Sequence, residues 1–336
     1  MFNINNIKVR ILIKTNGDKD MLSKKSLFIV NGLFLIFLLL MGVSHSVLAQ
    51  TPSTTPSTTD NLKVLIVTAH PDDESGFSVT IYKLTHDLKA KVDIAIVTNG
   101  EGGYKYSTLA EEVYGAELTE EKIGREYLPT IRKREMMNGG KIIGLRNYYF
   151  LEQKDHKYTQ DVKEVFQGVW DIDLVKKRLS EIITNGGYNY IFTLLPTIDT
   201  HGHHKGATIL TLEVVKNLSI KNKPVVLGAS LSIKEEQVKK EYLGLEDYPI
   251  TKINKDAPVF VFDRTQKFGY KDNLNYKIIA NWLLAEHKSQ GTTQMAMGLG
   301  DLEKFWFFDI NNPAMVEPTT ILFNKLKEVP FKKKEY

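Results

Sequence analysis

Apolar runs and amphipathic stretches alternate along the chain from residue 61 onward. Short runs rich in β-branched residues predict buried strands, and apolar residues that recur every three or four positions predict helices. The strands are predicted at 62–69, 92–98, 147–151, 189–195, 223–231, 257–263 and 305–308. The helices are predicted at 74–88, 130–143, 171–184, 206–217 and 273–287. This alternation predicts an α/β fold in which a mostly parallel sheet carries helices on both faces of a single domain.

Two polar, irregular stretches interrupt the alternation, at 104–124 and 152–169. Loops of this length are usually either functional or disordered, and we expect both stretches to form a rim over a ligand site. Asp155 and His156 fall in the second stretch. An isolated Asp-His pair in a loop is expected to be exposed to solvent.

The N-terminal residues 1–49 have the pattern of a secretory signal peptide. Two lysines precede an apolar run at 27–43, and Val47 and Ala49 stand at positions −3 and −1 of a cleavage site before Gln50. The alternative is an uncleaved anchor, because the run approaches the ~18 residues of a membrane span. The sequence thus predicts an exported protein, periplasmic or extracellular, that contacts a membrane only through an uncleaved N-terminal segment.

The remaining boundaries follow from composition. Residues 50–60 form a Thr/Ser/Pro linker, residues 61–331 a single folded domain, and residues 332–336 a short basic tail. The net charge of +4 resides in the N-terminal segment, and no basic stripe of a nucleic-acid-binding module follows it. The chain has no cysteine, which excludes disulfides and thiolate metal ligands.

The first candidate site follows the first predicted strand, where the sequence reads H-P-D-D-E from His70 to Glu74. Imidazole nitrogen and carboxylate oxygen suit zinc or another divalent first-row metal, and His70 and Asp73 converge as the strand turns into a helix. Asp72 is then placed to take a proton from a metal-activated water. The alternative is that the two aspartates merely cap the helix.

A second cluster, D-T-H-G-H-H at 199–204, follows the predicted strand at 189–195 and holds three of the eight histidines. One of these histidines, added to His70 and Asp73, completes three protein ligands with an open position, as in a catalytic zinc site. The alternative is a solvated polar loop. On a loop that opens a helix, His201 and His204 share a face and His203 points elsewhere, which favours His204 as the third ligand.

The combination of A-H-P-D-D-E with a later H-x-x-H resembles the PIG-L/LmbE superfamily, which are metal-dependent N-deacetylases acting on N-acetylglucosamine-type groups. The resemblance covers roughly residues 62 to 305 and implies a Rossmann-like sheet. Three shorter motifs support it: the Gly-rich turn at 98–102, Arg132-x-x-Glu135 and His287-x-Ser289-Gln290.

The resemblance also implies roles for individual residues. Asp72 is expected to be the catalytic base, and His201, the first histidine of H-x-x-H, is expected to stabilise the oxyanion. Substrate contacts are implied for Arg132 and Glu101. Gly202 and His203 stand where the family often has Pro and Asp, so His203 remains an alternative to His204 as metal ligand.

His287 either lines the site or caps the end of its helix.

Taken together, the residues and the resemblance predict an exported zinc-dependent hydrolase that removes an N-acetyl group from an N-acetylglucosamine-type sugar or glycoconjugate. One alternative is a related hydrolase of another N-acyl amide. A second is a secreted carbohydrate-binding protein without catalysis.

Overall fold

A computed structural model describes residues 61–221, 223–234 and 242–330. The predicted signal peptide, the linker and the basic tail lie outside these ranges. Among the helices of the described ranges, none is both long enough and apolar enough to cross a bilayer.

Within the described residues, seven strands form one sheet in the order β3-β2-β1-β4-β5-β9-β6, and β7 and β8 form a separate pair. The five strands β1 to β5 are parallel neighbours, whereas β9 runs antiparallel to both β5 and β6. The prediction of a mostly parallel sheet is therefore confirmed. The strands are β1 (Lys63–Thr68), β2 (Lys91–Thr98), β3 (Tyr148–Gln153), β4 (Tyr190–Leu194), β5 (Val225–Ser232), β6 (Phe260–Asp263), β7 (Lys267–Phe268), β8 (Leu274–Asn275) and β9 (Leu302–Phe307).

Helices cover both faces of the sheet. They are α1 (Ser78–His86), α2 (Ala110–Tyr114), α3 (Glu121–Ile143), α4 (Val162–Phe166), α5 (Ile172–Gly186), α6 (Gly202–Asn217), α7 (Lys277–Glu286), α8 (Gly291–Gln294) and α9 (Val316–Leu326). Alternate residues of a strand point to opposite faces, so β1 supplies Val64 and Ile66 to the core under α1, α3, α7 and α9. Leu65 and Val67 enter the core under α5 and α6.

Among the predicted boundaries that differ from the structure, three bear on the candidate site. Helix α3 begins at Glu121 rather than 130. The Glu- and Lys-rich residues before Pro129, which were predicted to be irregular, form the exposed face of its first turns, and Gly124 and Leu128 form the buried face. Strand β3 continues to Gln153 rather than 151, past an irregularity in its register with β2. Helix α6 begins at Gly202 rather than 206, so the histidine cluster enters its first turn.

Glu303 of β9 joins the antiparallel edge of the sheet to the start of α1. Its two carboxylate oxygens accept the N–H groups of Val79 and Thr80 at 2.9 and 2.8 Å, and Arg264 Nε donates to Oε1 at 2.7 Å. These residues are buried. The carboxylate therefore satisfies two helix N-terminal donors that have no partner within the helix and neutralises a buried guanidinium.

We expect Glu303→Gln to lower the free energy of unfolding by about 3 kcal/mol, because a buried Arg264 then loses its counter-charge. Urea unfolding followed by circular dichroism measures this change. Glu181→Gln, an exposed change within α5, is the matched control and should stay within about 0.5 kcal/mol of the wild type. Equal stability of the two variants would contradict the anchoring role of Glu303.

Candidate active site

The candidate site lies where the strand order reverses. Strands β1 and β4 are parallel neighbours. From β1 the chain continues to β2 on one side of this pair, and from β4 it continues to β5 on the other side. In an open α/β sheet, the crevice at the carboxyl ends of two such strands is the usual ligand site. His70 follows β1 and the cluster His201–His204 follows β4, so the fold brings the two sequence motifs together.

Asp73 is held by the backbone of its own turn. Its Oδ2 accepts the N–H groups of Ala69 and His70 at 3.0 and 2.8 Å. The 3₁₀ helix Asp73–Phe77 has no side-chain capping hydrogen bond at its start, so the aspartates do not have the capping role that was the alternative. Oδ1 of Asp73 is left facing His204 Nε2 at 3.1 Å.

Three ligand-type atoms converge at this point. His70 Nδ1 lies 3.1 Å from His204 Nε2, and it lies 3.6 Å from Asp73 Oδ2. Tetrahedral ligands at zinc–nitrogen and zinc–oxygen bond lengths stand about 3.4 Å apart. The donor set of His70, Asp73 and His204 therefore fits a divalent first-row metal in both chemistry and spacing.

The charge of the site also suits a cation. Burial lowers the pKa of His70, but the carboxylates of Asp155 and Asp73 outweigh it and raise this pKa to about 9. Burial would raise the pKa of Asp73, yet His204 and His70 hold it well below its usual range. The strongly negative potential at His70 attracts a proton or a metal ion.

His203 and His204 approach opposite nitrogens of His70. His204 faces Nδ1, on the side of Asp73, and its own Nδ1 lies 3.1 Å from Thr200 Oγ1. His203 Nδ1 faces Nε2 of His70 at 3.0 Å. The expectation that His203 points away is wrong, because its ring is buried against His70. One ion at Nδ1 of His70 reaches Asp73 and His204, whereas His203 belongs to a second group of possible donors with His70 and His201. The group with His204 includes a carboxylate, and we therefore keep His204 as the expected ligand.

Asp155 belongs to the site, contrary to the expectation of a solvated loop residue. Its side chain is buried, with Oδ1 3.3 Å from His203 Nδ1 and 3.8 Å from His70 Nε2. The extension of β3 to Gln153 explains the difference, since it places Asp155 just beyond the carboxyl end of a strand. His156 beside it lines the cavity and is half-buried.

His201 stands at the N-cap of α6. Its Nδ1 accepts the backbone N–H of His203 at 2.9 Å, so the proton of the neutral ring is on Nε2. Burial and the neighbouring His70 lower the pKa of His201 to about 2. The ring is therefore a neutral N–H donor rather than an imidazolium.

Asp72 has an unusual backbone conformation, with φ at 139°, a region that L-residues other than glycine rarely adopt. Its Oδ1 lies 3.0 Å from Arg132 Nη2, and its Oδ2 accepts the hydroxyl of Thr293 at 2.8 Å. The backbone N–H of Asp72 donates to Glu74 Oε2 at 3.0 Å. Arg132 and Thr293 thus hold the carboxylate in place at the cavity, and Glu74 holds the backbone of the same residue.

His287 reaches this turn from the end of α7. Its Nε2 lies 2.6 Å from Glu74 Oε1, and both side chains are fully buried. Burial lowers the pKa of His287, but the Glu74 carboxylate outweighs it and raises this pKa. The ring binds Glu74 instead of capping the helix, and it supports the turn of Asp72 from behind without lining the cavity.

Arg132 and Glu101 make protein contacts. Arg132 lines the cavity, but it also donates to the carbonyls of Pro71 and Gly100 at 2.6 and 2.5 Å. Glu101 is buried, and its Oε1 accepts the N–H of Asp155 at 3.1 Å. Their substrate contacts stay a prediction, while the structure gives both side chains a supporting role.

The shorter sequence motifs also meet in space. Glu135, three residues after Arg132, accepts the N–H and hydroxyl of Ser289 at 2.7 and 2.6 Å. Helix α3 is thereby joined to the segment that carries His287 and Thr293.

The site opens into a cavity of about 830 Å³. Both predicted rim stretches contribute to its wall. The side chains that line it include three tyrosines and several charged groups: Tyr104, Tyr106, Tyr158, Lys105, Arg125 and Lys157. A cavity of this size and polarity accepts a polar molecule larger than a metal-bound acetamide alone.

Sequence reasoning missed three contributors. Asp155 was detectable as an acidic residue near a strand end, had β3 been extended by two residues. Glu74 was visible in the motif, but its pairing with His287 depends on packing between elements 213 residues apart. Thr293 offered no signal, because an isolated threonine hydroxyl is common.

The chain is similar in sequence to known de-N-acetylases. Residues 65–215 match the family model described as PIG-L: GlcNAc-PI de-N-acetylase. The probable N-acetyl-alpha-D-glucosaminyl L-malate deacetylase 2 of Bacillus cereus is 22% identical over 245 residues, which are 73% of this chain and 97% of that protein.

Two solved structures are similar in outline. The N,N'-diacetylchitobiose deacetylase of Pyrococcus horikoshii is 18% identical at a TM-score of 0.43, over 72% of this chain and 82% of that one. A deacetylase of the teicoplanin biosynthetic pathway is 13% identical at a TM-score of 0.47, over 74% and 97%.

The family match confirms the resemblance found in the sequence. PIG-L deacetylases are hydrolytic enzymes that act on N-acetyl amides and use a metal. The chain is similar to PIG-L deacetylases over residues 65–215 and is a hydrolase, with a group of side chains in its candidate site that could hold a metal ion.

We expect the protein to bind one divalent ion per chain and His204→Ala to weaken this binding by more than about 100-fold, which exceeds the usual effect of residues that only support a ligand. Competition with a chromophoric chelator measures the affinity. His86→Gln, at an exposed histidine of α1, is the matched control. Equal affinity of the two variants would rule out His204 as a ligand.

Proposed function

We propose that this protein is a zinc-dependent N-deacetylase that hydrolyses the acetamide of an N-acetylglucosamine-type sugar or glycoconjugate. The observation that carries the proposal is the convergence of His70, Asp73 and His204 beside Asp72 at the cavity. The ligands leave room for water and substrate on the cavity side, as a catalytic metal requires.

Sequence relationships support the substrate class. The matching family model is described by de-N-acetylation of an N-acetylglucosamine conjugate, and the Bacillus cereus relative is named for the deacetylation of an N-acetylglucosaminyl compound. Tyrosines and charged groups around the cavity suit a sugar, which presents apolar ring faces and many hydroxyls.

In the proposed reaction the metal has a single chemical role, that of a Lewis acid. A divalent ion held by His70, Asp73 and His204 would supply a Lewis acid that polarises the acetamide carbonyl and acidifies a water molecule. Asp72 removes the proton from that water as it attacks the carbonyl carbon. Arg132 and Thr293 hold both carboxylate oxygens of Asp72, so its direction towards the cavity is set before substrate arrives.

His201 stabilises the charge that develops on the carbonyl oxygen. Its Nε2–H is free to donate because Nδ1 is engaged by the backbone of α6. A neutral donor in a buried site stabilises an oxyanion strongly. The neutral state of His201 also makes Asp72 the better proton donor to the leaving nitrogen. Breakage of the C–N bond then yields acetate and a free amine.

We expect chelator-sensitive acetate release from N-acetylglucosamine or its oligomers, and a loss of about 10²–10⁴-fold in kcat in Asp72→Asn. The variant should keep its metal, because Asp72 is not in the donor set. Acetate release and metal content, measured on the same preparation, test both statements.

Asp173→Asn, an exposed substitution in α5, is the control for that assay. Acetate release that resists complete metal removal would contradict the metal-dependent mechanism. Stoichiometric metal without acetate from any N-acetyl amino sugar would contradict the substrate class and point to another amide.

We expect His201→Asn to lower kcat by about 10²–10³-fold with a small change in KM, as for the loss of one oxyanion donor. Asparagine is a favourable N-cap, so the start of α6 is retained while the imidazole N–H is removed. Steady-state kinetics with the metal-loaded variant measures the effect. A change confined to KM would assign His201 to substrate binding instead.

Export is part of the proposal, on the strength of the pattern in residues 1–49. We expect the mature protein to begin at Gln50 when the full chain is expressed in a secreting bacterial host. N-terminal sequencing after cell fractionation tests this. An intact N-terminus in the membrane fraction would favour the anchor, and an intact N-terminus in the cytosol would contradict export.

A further inference from the structure

Behind His70, on the side away from Asp73 and His204, lies a second polar cluster that the proposed reaction does not use. It consists of His70 Nε2, His203 Nδ1 and Asp155 Oδ1. The three atoms are separated by 3.0, 3.3 and 3.8 Å, and all three side chains are buried.

The Asp155 carboxylate is fixed from several directions. Its Oδ2 accepts the N–H of Gly102 at 3.1 Å, and its backbone N–H and carbonyl are bound by Glu101 and Arg125. A Cβ atom at Gly102 would lie 2.7 Å from Oδ1, so the turn carries glycine where the carboxylate packs against it. Oδ1 is thereby aimed at the two imidazoles.

His203 is equally restricted. Its backbone lies in the first turn of α6, its ring packs beside Trp170 with centroids 5.2 Å apart, and its Nε2 is buried without a hydrogen-bond partner among the described residues. The polar contacts of the ring are therefore concentrated on Nδ1, which faces His70 and Asp155.

A histidine that gives the Nδ1 lone pair to a metal carries its remaining proton on Nε2. In His70 that proton faces His203 Nδ1 at 3.0 Å and Asp155 Oδ1 at 3.8 Å, and Asp155 Oδ1 also lies 3.3 Å from His203 Nδ1. Hydrogen bonding at the far nitrogen fixes the tautomer and orientation of a metal-binding imidazole and increases its basicity.

We propose that Asp155 and His203 are positioning residues that orient His70 for metal binding. The inference rests on the proposed metal site and goes beyond it, because it assigns a role to two further residues. Asp155 lies in the rim stretch, and His203 stands at a position where the family often has aspartate. Asp155 and His203 act on one nitrogen and therefore act as a unit.

The test measures metal affinity without substrate, by chelator competition with Zn²⁺ and by the absorption spectrum of bound Co²⁺. Asp155→Asn and His203→Ala should each weaken Zn²⁺ binding by about 10–100-fold and shift the Co²⁺ bands at one ion per chain. The double variant should be no more than a few-fold weaker than the poorer single variant, because the two residues are coupled.

Asp199→Asn is the matched control. It removes one negative charge from an exposed position on the same cavity, and its metal affinity should stay within about twofold of the wild type. Far-UV circular dichroism establishes that each variant is folded, and His203→Ala provides a second route if Asp155→Asn fails to fold.

Wild-type affinity and spectrum in both folded single variants would overturn the inference. Two ions per wild-type chain would overturn it as well, since Asp155 and His203 would then be ligands themselves. A wild-type protein that binds one ion and shows the expected losses, but releases no acetate, would refute the proposed function and leave the positioning role standing.

Discussion

Two backbone N–H groups at the end of β1 determine the position of Asp73 in the candidate site. They bind one oxygen of Asp73, and they are rigid because the strand that presents them is buried in the middle of the sheet. The other oxygen of Asp73 then faces the neighbouring strand end, where α6 begins with its histidines. The metal donor set is thus a consequence of parallel pairing between β1 and β4, and any change in that register would separate its two halves.

Charge is the second constraint, because several ionisable groups of the site are withdrawn from water. Isolated buried charges are costly, and here each one faces an opposite charge or a hydrogen-bond donor. Glu74 pairs with His287, and Arg132 pairs with Asp72. The partners come from α3 and from the segment after α7, which are distant in sequence from the motif at His70. Helices that look peripheral in the topology therefore contribute directly to the electrostatics of the cavity.

The fold and the meeting of His70, Asp73 and His204 were largely predictable, since strand periodicity and the H-P-D-D-E motif are local signals. The parallel sheet follows from alternation, and the position of His70 follows from a strand end. What could not be predicted depends on details of a single residue or on remote packing. The role of Asp155 depends on two more residues of β3, and the orientation of His203 depends on the earlier start of α6. No local sequence pattern predicts the contact between His287 and Glu74.

The positive φ of Asp72 lowers the stability of the fold at the residue that the proposed reaction uses as its base. A side chain held at a positive φ of this kind costs on the order of 1–3 kcal/mol, which is a large share of the net stability of a domain. Glycine would relieve the cost and would also remove the carboxylate. Selection for stability alone would therefore favour losing the carboxylate that the proposed reaction uses as its base. The contacts from Arg132, Thr293 and Glu74 stabilise the strained residue within the fold.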